Sequence, residues 1–493
     1  MSEAFKKVIP FLEKKRKLGH LLGIISFDVE TIAPEKGIEA QNDLLNEYGA
    51  EYAAIAQDPA YIEAVKAAKE EGGLNEAQNL LIEDALEQIE FMSKIDMDTY
   101  IRWSKVSAKC GEVWKKAKNA SSWEMVKPYF AALVEAKKEE AKLLHKPFHK
   151  TAYDAFLDQY EKGQTQEDID RVFTPLKRFL IENLPLVLEK QSKLDMPKIL
   201  PHDKDSQAHL SIGLLKAIGY DLSRGAIAET EHPFSNNIAR NDCRVTTHYY
   251  ESDWRSSMYS VIHEGGHSIQ FQGWGDYHFD NYVEGRASAA LCETHSRFYE
   301  NLIGRSKAFA PILLGLCKEH LKGEFLTMSE EQFYNTVNEV SRGLIRTESD
   351  EFTYCLHIII RYELERDLIN GLIDVDHIKD AWNQKYKEYL GVEVPDDARG
   401  ILQDVHWFSG LFGYFPSYAL GNMYGAQIMA KMKESLPADK LLKEGDVEPI
   451  RAYLASNDFA FDYLNPKEWI KKVSGEEMNP SYYVSYLKEK FID

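Results

Sequence analysis

Two histidines four residues apart, with a glutamate directly after the first, constrain this chain more than any other stretch: SVIHEGGHSIQ, Ser260 to Gln270. The surrounding MYSVIHEGGHSIQFQ reads as helix, and one helical turn brings His267 onto the same face as His263, so two imidazoles can share one ion. Glu264 lies beside them at the rim, where a carboxylate can take a proton from a water held by the ion without being a ligand itself. With 15 histidines in 493 residues, chance supplies an HExxH pattern only about 0.04 times in such a chain. The pattern therefore reads as a catalytic metal site. Each of the two glycines costs a helix interior about 1 kcal/mol relative to alanine. Close approach of another backbone or of substrate offsets that cost, or else a tight helix crossing does.

A hydrolytic metal site takes three protein ligands and leaves one position for water. The metzincin continuation would need glycine three and histidine six residues past the second histidine, where this chain has Gln270 and Gly273. The other source is a glutamate on a following helix. GRASAALCETHSRFYENLIG has helical periodicity and offers Glu293, His295 and Glu300. Glu293 comes twenty-six residues after His267, enough for a loop and a returning helix. His295, two positions further, points away from Glu293 and does not easily share an ion with it. Taken alone, the segment serves equally well as a solvated helix face.

The rest of the chain sets the scaffold. The first two hundred residues carry apolar positions at helical spacing, as in NLLIEDALEQIEF and YFAALVEAKKEEAKLL. Breaks between them are short, and no long linker or fixed repeat divides the chain. The expectation is one mainly helical domain over residues 1–493. Within it, a helical scaffold covers about 1–230, the metal and catalytic motifs about 231–430, and C-terminal helices about 431–493. DCRVTTHYYES, Asp242 to Ser252, is rich in Val, Thr and Tyr and is the best strand candidate, part of a small sheet after the irregular HPFSNNIARN. A formal charge of −20 and a pI near 5.3 oppose binding to nucleic acid or an anionic membrane surface. The start lacks an apolar signal-like core, and no run approaches the roughly 18 apolar residues of a membrane helix. Five widely spaced cysteines suit reduced thiols. The cytoplasm is the expected compartment.

Several short signatures stand in order: HPF (His232 to Phe234), DCRVT (Asp242 to Thr246), HEGGH, IRTESD (Ile345 to Asp350) and GILQDVHW (Gly400 to Trp407). SFDVETIAP and YDAFLDQYEKG accompany them nearer the amino end. Together they make the chain resemble the carboxypeptidase Taq family of HExxH zinc peptidases, whose third ligand is a glutamate. The resemblance covers most of the chain. It implies a two-lobed helical body around a deep groove, a homodimer, and one zinc ion per chain, replaceable by cobalt, on His263, His267 and Glu293. The implied activity is release of single residues from peptide C-termini, with broad specificity and proline disfavoured. Two departures are visible. The family reads His-Glu-Ser-Gln or His-Glu-Ser-Gly around the third ligand, whereas this chain has CETH, with Cys292 and His295 flanking Glu293 and Thr294. IRTESD has Ser349 where alanine is usual. Buried free cysteine commonly packs as a small hydrophobe, and that is the expected role of Cys292.

The resemblance casts Arg346 as the binder of the substrate's terminal carboxylate, a task for which a planar guanidinium fork is suited. Its bland alternative is a salt bridge to Asp350, one turn on. In DVHWFSGLFGYFPSYALGNMYGAQ, a neutral phenol can donate to the oxyanion of the reaction, with His406 assisting. Tyr418 is favoured for this over Tyr414, which is left to line the substrate site. Asp242 and Arg244 either pair locally or help a strand edge hold an extended peptide, and His232 enters only by its position in HPF. Two rivals stay open: an oligoendopeptidase, which needs no substrate carboxylate, and a peptide-binding protein with a structural zinc, which has no use for Glu264.

Overall fold

The computed structural model describes residues 2–493. Helices α1 (Glu3–Thr31), α2 (Ile38–Ala54), α3 (Pro59–Glu71) and α4 (Glu76–Ser93) open the chain. Phe5, Val8 and Leu12 of α1 meet Tyr61 and Val65 of α3 and Ile82 of α4 in a small core of their own. A second, much larger core is built by the rest. It begins with α5 (Met97–Asn119), α6 (Trp123–Leu144), α7 (Asp154–Tyr160), α8 (Gln166–Gln191) and α9 (Lys204–Ala217). After a sheet come α10 (Trp254–Gly273), α11 (Asp276–Asp280), α12 (Ala289–Arg297), α13 (Ala310–His320), α14 (Glu330–Val337), α15 (Tyr354–Ile369), α16 (Ile378–Leu390) and α17 (Phe415–Lys433). Four short helices finish the chain: Ala438–Glu444, Glu448–Asn457, Pro466–Ser474 and Ser481–Phe491. The segments expected to be helical from NLLIEDALEQIEF and YFAALVEAKKEEAKLL are α4 and α6. A capping box between Asn75 and Gln78 starts α4, satisfying two N-terminal donors that helix geometry leaves open.

Two cores make two lobes, and a cavity of about 720 Å³ lies between them. Its lining includes Asp84 and Glu87 of α4, Tyr160 of α7, and Arg286, Ser288 and Ala289. Polar bonds join the lobes along one side: Asn75 Nδ2 and Gln78 Nε2 donate to Asn281 Oδ1 at 2.8 and 3.0 Å, and Arg286 Nε donates to Asp84 at 2.7 Å.

The sheet has strands β1 (Ile227–Glu229), β2 (Ser235–Ala239) and β3 (Asp242–Thr247), with β3 central, parallel to β1 and antiparallel to β2. DCRVTT is a strand of a small sheet, as expected, and takes the central place in it; the strand ends at Thr247 before HYYES. The stretch SNNIA, expected to be irregular, is β2. Asparagine has low strand propensity, but pairing of Asn236 with Arg244, and donation from Asn236 Nδ2 to Gly23 O of α1 at 2.8 Å, override it.

α10 is the axis on which the site is hung. It starts on Asp253, whose side chain accepts from Arg255 N, and from Val261 to Gln272 every residue is buried except His263 and His267, which are partly buried. Its glycines resolve the question their cost raised. A Cβ on Gly266 would lie 2.8 Å from His295 O and Ser296 Cα of α12, and one on Gly265 would meet Ile218 and Leu215 near α9. The offset is a tight helix crossing against protein backbone. From its other side α12 receives Gly421 of α17, whose Cβ would lie 2.8 Å from the backbone of Glu293. α12 is thus clasped between two glycine contacts.

Candidate active site

His263 and His267 project from α10 with ring centroids 5.0 Å apart. α12, held against that helix, brings in Glu293, and one ligand atom from each of the three residues falls within 4.8 Å of the others. His263 Nε2 lies 3.8 Å from Glu293 Oε2. Two ligands at about 2.1 Å on a tetrahedral ion stand roughly 3.4 Å apart, so this spacing fits a small divalent metal. The donor set, two imidazoles and a carboxylate, suits zinc and leaves a position open. Neither Cys292 nor His295 joins the cluster. Burial pushes the Cys292 thiol up to about 12. His295 turns away into the core, where Nε2 meets Asp458 Oδ2 at 3.1 Å.

After α12 the chain continues as a π-helical turn, Phe298–Gly304, carrying Glu300. Its Oε2 lies 2.9 Å from His263 Nδ1 and accepts from Arg297 Nη1 at 2.9 Å. A carboxylate there draws the proton to Nδ1 and leaves Nε2 as the free donor toward the metal position. Burial would raise the Glu300 carboxyl, but Arg297, His263 and Arg305 hold it well below the usual range. Burial also works against charge on His263, and there the bond to Glu300 and the charges of Glu293 and Glu264 outweigh it, so the imidazole is raised. His267 has no such partner, and burial lowers it to about 3. Glu264 is buried beside the pair, next to Ser235 of β2. Burial, opposed by His263 and reinforced by Glu293, carries it up to about 7. A carboxyl near neutrality can both take and return a proton.

One turn on from Glu293 along the same face of α12, Arg297 lies over the Tyr354 ring at 4.3 Å, and Tyr354 Oη accepts from Arg346 Nη1 at 3.3 Å. Arg346 is only 7% exposed. Its Nε and Nη2 donate to Asp404 Oδ1 at 3.1 and 2.8 Å. Asp404 also receives Arg361 Nε at 2.7 Å, so two guanidinium groups share one carboxylate and a net positive charge stays. Asp350, the partner weighed from sequence, is spent on the backbone of Ser341 and Thr353. The Arg346 guanidinium lies 5.0 Å from the Tyr418 ring centre. Tyr418 Oη is 3.3 Å from His406 Nε2, and its ring sits edge-on to Tyr414 at 5.2 Å. Burial lowers His406 to about 4, which keeps it neutral, and leaves its Nδ1 without a hydrogen-bond partner. Tyr414 in turn packs edge-on to Tyr160 at 5.1 Å, which ties this cluster to the cavity between the lobes.

The remaining candidates, Asp242, Arg244 and His232, make no hydrogen bond to this cluster. Arg244 donates to both oxygens of Asp242, Nε to Oδ1 at 2.8 Å and Nη2 to Oδ2 at 2.7 Å, and stands over Phe27 of α1 at 5.0 Å. That is the local pair. His232 is exposed in the turn before β2.

A family model described as carboxypeptidase Taq (M32) metallopeptidase matches residues 10–491. The chain belongs to that family. Carboxypeptidase 1 of Bacillus subtilis strain 168 is 35% identical over 99% of this chain and 97% of its own length. Among solved structures, metallocarboxypeptidase 1 of Trypanosoma cruzi superposes with a TM-score of 0.94 at 30% identity over 100% of both chains. The Pyrococcus furiosus carboxypeptidase does so with a TM-score of 0.95 at 27% identity, over 100% of this chain and 99% of that one. As a carboxypeptidase Taq family member the protein is a metallocarboxypeptidase, a peptide hydrolase that works with a divalent metal. No helix among the described residues is long and apolar enough to cross a membrane.

Three residues around the carboxypeptidase site escaped the sequence reading. Arg297 and Tyr354 sit in ordinary helical stretches and carry no local signal. Asp404 lies inside GILQDVHW, where the signature itself marks it. Glu300 was visible only as a rival ligand.

Proposed function

We propose that the protein is a zinc carboxypeptidase that removes single residues from the free C-termini of peptides, broadly in the residue released and poorly before proline. The observation that carries this reading is the buried Arg346 guanidinium beside Tyr418 and Tyr354, in the same cluster as the histidine and glutamate triad. His263, His267 and Glu293 hold the zinc in this reading, which supplies Lewis acidity toward water and the scissile carbonyl. Glu264 is the general base. It takes the proton of the attacking water and delivers it to the departing amine. Tyr418 donates to the oxygen on which negative charge develops, with neutral His406 behind it at the phenol. Asp404 holds one edge of the Arg346 fork and so aims the rest at the terminal carboxylate. Tyr414 lines the passage toward the cavity, while Asp242, Arg244 and the HPF turn with His232 border the groove on the sheet side.

An oligoendopeptidase would use the same metal chemistry, but it has no need for a buried, charge-excess guanidinium beside the phenol. Unpaired cysteines, four of the five buried, support a cytoplasmic setting, and the family resemblance supports a homodimer. Mass spectrometry of peptide digests tests the reading. Single-residue ladders from the C-terminus that vanish on chelation are expected, and internal cuts or chelator-resistant cleavage would overturn it.

A further inference from the structure

Glu161, at the end of α7, is completely buried with no cationic partner among the described residues, a costly state for a carboxylate unless hydrogen bonds satisfy it. Its two oxygens accept three. Oε1 takes Ala290 N of α12 at 2.7 Å and Ser417 Oγ of α17 at 2.7 Å. Oε2 takes Ser288 Oγ, the N-cap of α12, at 2.8 Å. A single oxygen therefore bridges two helices at the points where their functional side chains emerge. Ala290 is three residues, about one turn, before Glu293, and Ser417 directly precedes Tyr418.

We infer that Glu161 is a positioning residue that sets the spacing between the metal-binding face of α12 and the phenol of Tyr418. The glycine contact of Gly421 against Glu293 fixes how close the two helices come, but smooth helix surfaces can slide along each other. A hydrogen-bonded pin near their N-termini fixes the register. Burial pushes the Glu161 carboxyl up to about 7, and a neutral side chain would still do the work, because the bridging oxygen is an acceptor in either state. Ser288 can rotate its hydroxyl to accept from the other position.

The inference rests on the roles proposed for Glu293 and Tyr418, so the test runs Glu293→Ala and Tyr418→Phe alongside. Loss of metal in the first and of kcat in the second upholds those roles. Native behaviour in either removes that reading and leaves the Glu161 contacts to be judged by metal affinity and stability alone. Glu161→Gln keeps one oxygen for Ala290 and Ser417 and is expected to retain zinc affinity and kcat within about threefold, as a conserved acceptor should. Glu161→Leu fills the space without an acceptor. It should weaken zinc binding and lower kcat by about tenfold or more each, with KM nearly unchanged, since sub-ångström misplacement acts on the reacting geometry. Ser417→Ala cuts only the α17 arm and should lower kcat at native zinc affinity. A merely structural role predicts lowered melting temperature with native kcat and zinc affinity in the folded fraction. That outcome in Glu161→Leu, or in Ser417→Ala should Glu161→Leu not fold, would overturn the inference.

Discussion

Replacing Glu300 separates a residue that orients a ligand from one that is a ligand. Glu300 Oε2 receives His263 Nδ1 and Arg297 Nη1, both at 2.9 Å, while Oε1 faces Arg305 Nη2 at 3.5 Å. In Glu300→Gln the amide oxygen can keep the Oε2 position, so His263 keeps its tautomer. What is lost is the negative charge, and an amide donor now faces the Arg305 donor. Loss of such outer support costs at the low end about tenfold in metal affinity, or roughly 1.4 kcal/mol. Glu300→Leu removes the acceptor altogether, frees the imidazole to switch tautomer, and takes from Arg297 and Arg305 the carboxylate they share. The loss should reach about 100-fold, or roughly 2.7 kcal/mol. Zinc dissociation constants from competition with a chromophoric chelator read both. Native affinity in the two variants would refute the orienting role. Loss in Glu300→Gln as complete as in Glu293→Ala would make Glu300 a ligand.

Three further outcomes are expected. Glu264→Gln should keep about one zinc per chain while hydrolysis falls about 100-fold or more, whereas Glu293→Ala should bind zinc weakly; metal analysis and turnover on the purified variants check both, and tight zinc in Glu293→Ala would disprove that ligand. Cys292→Ser should keep zinc stoichiometry and most activity, because the thiol stands outside the triad; metal loss measured in that variant would show that it ligates. Gly266→Ala places a methyl 2.8 Å from backbone atoms of α12, so thermal unfolding should show destabilisation of about 1 to 3 kcal/mol, and a neutral effect would mean that the α10 and α12 crossing is not tight.

How much of this was readable in advance depends on the range of each interaction. The histidine pair and Glu264 follow from one helical period, and the return of Glu293 on a second helix needs only a loop of plausible length. The CETH departure was also legible, since spacing alone turns His295 away from Glu293, and it reaches Asp458 instead. The partner of Arg346 was not. Residues Arg346–Glu348 form a 3-10 turn, so the helical spacing to Asp350 does not hold, and Asp404 is fifty-eight positions away, beyond any periodic signal. β2 was missed for a related reason: its asparagines acquire strand geometry only by pairing with β3. The cost of Gly265 and Gly266 announced a close approach, but whether substrate or protein made it could be decided only when α12 and the residues near α9 were in place. Glu161 lay in plain view in YDAFLDQYEKG, yet its partners on α12 and α17 are more than a hundred residues away.

Recognition of a free chain end by Arg346 is tested most directly by one comparison: kcat/KM for a peptide and its C-terminal amide, in the native enzyme and in Arg346→Ala. Amidation removes the anion while Arg346 keeps its bonds to Asp404 and Tyr354, so the loss falls toward the low end of the about 2 to 5 kcal/mol of a buried charge pair. The native enzyme should therefore cleave the amide at least about tenfold more slowly. Arg346→Ala should cleave the free peptide slowly and lose most of the preference between the two. Equal rates on free and amidated peptides by the native enzyme, with internal cuts in both, would contradict the account.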